Sequence, residues 1–153
     1  MTKTKGLRHD ISFGESAAII LKKKYTDVRK KAERFFEESS VENLHSLRIS
    51  IRRLRYSLEN FEVCYNKKLF KKNIEYLKSL QDVIGLGRDL DMLREHLDGL
   101  ADECSLRIPE DLNECIEKKK GKNLQEIKLE LLKFLHNKDV RQFFTAKKED
   151  LKR

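Results

Sequence analysis

His45, Arg48, Arg52 and Arg55 recur at spacings of three, four and three residues. On a helix that spacing stacks them within about 80° of arc and along roughly 15 Å of axis, at 1.5 Å per residue. A row of like charge repels itself unless an anion sits on it. Arginine rather than lysine suits two-pronged capture of phosphate oxygens, because the guanidinium is planar and always charged. After Glu42 the next acid is Glu59, so the row is read as having no i,i+4 carboxylate among Arg48, Arg52 and Arg55. The competing reading is the ordinary fate of a charged helix, in which long stems cover apolar surface and the heads reach water or acids. His45 likewise has two readings, ligand contact or a local hydrogen bond at the helix start.

A second set of cations lies further along. Lys71 and Lys78, seven residues apart, share a helix face, and Lys67 lies near it. Taken alone they fit a solvated lysine face as well as a functional one; packed beside the arginine row they would form one wall of a basic groove. Lys24 and Lys31 lie next to the apolar stripe of an earlier helix rather than opposite it, and are weaker candidates for the same surface.

The elements that must position these residues are helices. With one proline, six glycines and abundant Lys, Glu, Leu and Arg, the composition favours side chains that lose little rotamer freedom in a helix. After a polar, flexible start over residues 1 to 12, a first helix is predicted over 15 to 38, with Ala17, Leu21, Val28, Ala32 and Phe35 on its core stripe. Ser39-Ser40-Val41-Glu42 fits a capping box, so a second helix begins near Ser40 and continues to about Tyr65. Within it Leu44, Leu47, Ile51, Leu54, Leu58 and Phe61 form the core face. A third helix is predicted over 68 to 84, interrupted by Gly85-Leu86-Gly87, and a fourth over 88 to 104. Pro109 suits the first turn of a weak helix over 110 to 119. A break at Gly121, a helix over 122 to 136 and a short one over 139 to 148 follow. Residues 13 to 153 therefore read as one all-α domain, an antiparallel bundle of about one four-helix unit with extra C-terminal helices.

Lys and Arg outnumber Asp and Glu by 34 to 26, for a net charge of +8. Long-range attraction then favours an anionic partner, whether nucleic acid, anionic lipid or polyphosphate. The charge is uneven: +3 for residues 1 to 44, +6 for 45 to 78, −5 for 79 to 110 and +4 for 111 to 153. The stretch with the arginine row and the lysines carries the signal. The longest apolar run, 17 to 21, falls far short of a membrane span. No apolar signal region follows the basic start, so a cytoplasmic protein is expected. Cys64, Cys104 and Cys115 are an odd set without a C-x-x-C pair and are expected to be reduced packing thiols. Asp89 and Asp91 point to different faces of a helix, which suits a cap or salt bridge rather than a metal site. Neither a metal nor another cofactor is expected.

The run His45-x-x-Arg48-x-x-x-Arg52-Arg53-x-Arg55, followed by LKSLQDVIGLGRDLDML over 77 to 93, resembles the CHAD family, the conserved histidine α-helical domains. The two motifs stand in the family's order and cover about residues 44 to 97, with weaker similarity in the helix before them. The resemblance implies four-helix-bundle units, polyphosphate binding through basic surface residues, and no catalytic chemistry of the domain's own. By motif it implies His45, Arg48, Arg52, Arg53, Arg55, Lys78 and Arg88 as binding positions, although the wheel sets Arg53 away from the main row. Arg88 and Asp89 have a second reading, as an ion-pair network with the arginine row. A full CHAD domain has two similar halves, whereas this chain shows one H-x-x-R helix, and residues 122 to 144 resemble the start of a second half. Either a reduced member or a lost C-terminal part fits, and a short version is expected to pair with itself as a homodimer.

The leading function is thus non-catalytic binding of inorganic polyphosphate, in the cytoplasm and at polyphosphate granules. A nucleic-acid binder is the alternative, but neither a base-reading set of exposed Asn, Gln or Arg nor exposed stacking aromatics stands out. An accessory module of a phosphate-metabolising enzyme is a further one. The E-x-E-x-K signature of CYTH-type triphosphatases is missing, and Gly85-Leu86-Gly87 lacks the third glycine and the preceding strand of a dinucleotide loop.

Overall fold

The structure is a computed structural model, and it describes residues 5 to 150. Among them are five α-helices and no strand: α1 (Phe13–Glu37), α2 (Val41–Asn60), α3 (Lys67–Cys104), α4 (Glu110–His136) and α5 (Lys138–Thr145). Each start has a reason. Ser12 caps α1 in a capping box with Glu15, Ser40 caps α2 through the Asn43 N–H, and Asn66 accepts from the Lys68 and Leu69 N–H groups at the head of α3. Pro109 stands just before α4, whose first turn carries Glu110 and Asp111 and whose last carries Lys133 and His136, as the helix dipole favours.

The helices pack in sequence, α1 on α2, α2 on α3 and α3 on α4, and α1 also touches α4, which closes an antiparallel four-helix ring. α5 folds back on α1. Inside lie Leu21, Val28, Leu47, Ile51, Leu54 and Leu77, all fully buried. One end is aromatic: Tyr25 stacks on Phe144 at 5.3 Å and meets Phe134 edge-on at 5.6 Å, while Tyr76 stacks on Phe134 at 6.0 Å. No helix is long and apolar enough to cross a membrane, among the described residues.

Three expectations about elements are corrected. The break at Gly85-Leu86-Gly87 is absent, and α3 runs through it for 38 residues, about 57 Å at 1.5 Å per residue. α4 likewise passes Gly121 unbroken. The second helix ends at Asn60 rather than Tyr65, giving way to a 3-10 turn over Glu62–Cys64. The expected capping box at Ser39 is also not formed. Ser39 Oγ donates back to the Phe35 carbonyl at 3.0 Å, which leaves Ser40 as the cap of α2. Of the cysteines, Cys64 is buried, but Cys104 and Cys115 are exposed and not packing thiols.

Candidate functional site

Contacts between helices decide which edge of α2 each basic residue occupies. Phe13 of α1 meets Phe61 at 4.9 Å. Phe61 and the buried Ser50 lie on one edge of the α2 stripe, so that edge faces α1. Arg48, Arg52 and Arg55 lie on the opposite edge, toward α3. On α3, Tyr76 against Phe134 and the Val83 carbonyl accepting from Asn123 Nδ2 at 3.0 Å mark the edge facing α4 and α5. Lys67, Lys71, Lys78 and Gln81 lie on the other edge, toward α2. The arginine row and the lysines thus flank one seam between two antiparallel helices.

Within that seam Arg48 and Arg55 are half-buried and Arg52 and Lys78 are exposed. The guanidiniums of Arg52 and Arg55 lie 5.4 and 4.8 Å from the centre of the Tyr56 ring, within cation–π range of the same side chain. The Nε atoms of Arg48 and Arg55 and the Oε1 of Gln81 are buried without a hydrogen-bond partner. Arg48 Nε and Gln81 Oε1 each cost about 1–3 kcal/mol if left dry, so the seam favours a polar occupant. Among the described residues, Arg48, Arg52 and Lys78 make no ion pair.

Arg55 does make one, and the expectation of a row without an i,i+4 carboxylate is corrected: Glu59 Oε1 lies 3.4 Å from Arg55 Nε. A partly exposed pair of this kind contributes about 0.2–1 kcal/mol. A charge-assisted hydrogen bond to an anion would contribute about 1.5–3 kcal/mol, more than the Glu59 pair, which leaves Arg55 able to make one. Lys71 pairs with Glu75 at 3.9 Å, both exposed. Arg88 does not join the arginine row in an ion pair; its partner is Glu95 at 3.9 Å on its own helix. Asp91 is buried and pairs with Lys120 of α4 at 3.1 Å, while Asp89 is exposed and points elsewhere.

The other sequence candidates are not brought into the seam. Tyr25 faces α4 and α5, and Lys24 and Lys31 lie on the opposite edge of α1, toward the α1-facing flank of α2. Arg53 is exposed on the outside of α2, away from the row. His45 is exposed at the first turns of α2, at the outer margin of the row. Sequence reasoning missed Tyr56 and Gln81. Tyr56 was findable from Arg52, because an aromatic four residues later sits where that arginine can cover it, whereas its contact with the adjacent Arg55 does not follow from helical spacing. Nothing in the sequence marks Gln81, whose significance comes from burial alone.

A cavity of about 680 Å³ lies elsewhere, between α3 and α5, lined by Tyr65, Leu69, Tyr76, Val140 and Phe143 among others. Burial pushes the Tyr65 and Tyr76 phenols up from the usual value of 10.0. The cation on its wall, Lys72, is paired with Asp139 at 3.2 Å, and the cavity lies on the edge of α3 away from the basic seam. Among the described residues there is no group of three or more His, Cys, Asp or Glu able to hold a metal.

A family model described as the CHAD domain matches residues 3–98 of the chain. Among curated proteins and solved structures, none matches it.

Proposed function

Because this chain belongs to the CHAD domain family, we propose that it binds inorganic polyphosphate, without catalysis, along the seam between α2 and α3. Arg48, Arg52 and Arg55 grip successive phosphates from one side and Lys78 and Lys71 from the other. His45 and Arg88 extend the row at the end where α2 begins, and Lys67 stands at the other end. Lys24, Lys31 and Arg53 are left to general attraction. A linear chain of phosphates needs an extended row of donors and no platform for bases, and the seam offers such a row. The observation that carries the reading is the unpartnered Nε of half-buried Arg48, beside Arg52 and Lys78, cations with no carboxylate partner among the described residues. A binding role of this kind suits association with polyphosphate granules in the cytoplasm.

The test is a titration of the wild type with long-chain polyphosphate against an Arg48→Ala, Arg52→Ala, Arg55→Ala variant. Circular dichroism confirms that the variant folds. With three charge-assisted contacts removed, affinity is expected to fall by a factor of about 100 or more. Equal affinity would remove the proposal. Competition by oligonucleotides of matched charge separates polyphosphate from nucleic acid, and release of orthophosphate in the presence of a divalent metal would overturn the non-catalytic reading.

A further inference from the structure

The unbroken path of α3 through Gly85 and Gly87 creates a pattern that two separate helices would not have. Val83, Leu86, Leu90, Leu93, Leu97 and Leu100 follow one another at alternating steps of three and four. That repeat, 3.5 residues on average, is the mark of a helix lying along another helix. α4 covers one edge of it: Leu90 is only 8% exposed, and nearby Arg94 donates to Asn113 of α4 at 2.9 Å. The other edge is bare. Leu86, Leu93 and Leu100, seven residues apart, are 49%, 43% and 53% exposed. Single surface leucines need no explanation, but three in line over about 21 Å of helix form a continuous apolar ridge.

The flanking charges select the occupant. Asp82, Asp89, His96 and Glu103 run beside the ridge on its uncovered side. If two ridges meet antiparallel about Leu93, that residue meets its own copy on a two-fold axis and Leu86 of each copy meets Leu100 of the other. The same reversal brings Asp89 of each copy level with His96 of the other, a carboxylate beside an imidazole N–H, twice per pair. A parallel two-fold would carry Asp89 of each copy to the far side of the contact line from its mate, so it would bring no carboxylate of this edge beside a histidine of the same edge. The antiparallel one opposes Asp82 to Glu103 at the ends, where water screens the repulsion to a small cost.

We infer that a second copy of this chain docks antiparallel on the outer face of α3, with Leu86, Leu93 and Leu100 as the contact line and Asp89–His96 pairs fixing direction. This pairing does not rest on the phosphate reading, and it is measured with no polyanion present. In sedimentation equilibrium at high micromolar concentration the full chain is expected at twice its mass of 18.2 kDa. A Leu93→Glu variant is expected at the single mass, with its circular dichroism unchanged. A wild-type chain at the single mass, or a Leu93→Glu variant that still pairs, would overturn the inference. Direction is read by disulfide trapping in chains whose Cys104 and Cys115 are replaced by Ser. A mixture of Leu86→Cys and Leu100→Cys chains is expected to cross-link on oxidation. Leu86→Cys chains linking to one another in preference would overturn the antiparallel arrangement.

Discussion

Glu15 accepts from the Ser12 N–H at 2.8 Å, and Ser12 Oγ accepts in turn from the Glu15 N–H at 3.3 Å. The backbone donor, with help from the Ser12 hydroxyl and Lys148, holds the Glu15 carboxyl below its ordinary value of 4.5. A carboxyl that is more acidic when folded than unfolded stabilises the fold above the unfolded value. That contribution is lost as pH falls through the folded one. Glu15→Gln keeps an acceptor but cannot ionise, so the wild type is expected to be the more stable at neutral pH. Urea melts at neutral and strongly acidic pH should show the gap closing on the acid side, and a gap that stays constant would contradict this account. The serine-rich turn also shows what was hard to read at this scale. Ser39 and Glu42 have capping-box spacing, but Ser39 bonds back to Phe35 instead, a local competition that spacing does not reveal. In the candidate site the arginine row was legible because 3.6-residue periodicity orders it. Its Glu59 partner was equally present in the sequence, one turn beyond Arg55, and the acid-free reading stopped short of it.

At the scale of elements, glycine misled because its cost is modest. An interior glycine weakens a helix by about 1 kcal/mol relative to alanine. Burying a leucine or isoleucine side chain returns about 1.5–3 kcal/mol, and α3 buries Leu77, Leu80, Ile84 and Leu90 on either side of its glycines. Packing therefore carries the helix through. The two glycines are not equivalent. A Cβ on Gly85 would meet nothing within 4 Å, whereas one on Gly87 would lie 2.7 Å from Asn123 Oδ1 and 3.1 Å from both Ile127 Cδ1 and Leu44 Cδ2. Asn123 cannot swing aside without giving up its 3.0 Å hydrogen bond to the Val83 carbonyl. Gly85→Ala is accordingly expected to stabilise the fold by about 0.5–1 kcal/mol, and Gly87→Ala to destabilise it by about 1–3 kcal/mol. Denaturant unfolding of the two variants should give opposite signs. A neutral Gly87→Ala would mean that α2, α3 and α4 do not approach closely there. Helix count was misjudged for this one reason, while helix type and core faces followed from periodicity alone.

At the scale of the whole molecule, the charge is sorted by position: residues 45 to 78 carry +6 and residues 79 to 110 carry −5. The uneven charge was legible from composition. That α2 and α3 present their basic edges to each other was not, because side-chain spacing orients a helix face without naming its neighbour. The contacts of Phe61, Tyr76 and Val83 supply that information. On the proposed reading, the acidic residues on the far half of α3 would disfavour spread of a polyanion along that half. If about six phosphates are neutralised in the basic seam, each displaces condensed counterions, and log affinity should fall against log salt with a slope of roughly −4 to −5. Replacing Arg48, Arg52 and Arg55 by alanine should then reduce the slope by about two to three, as three contacts disappear. The same measurement on the Leu93→Glu variant should leave the slope per chain unchanged, because Leu93 lies about 22 Å along α3 from Lys78. A wild-type slope near zero would contradict the seam. A normal slope untouched by the triple substitution would move the binding surface to other lysines.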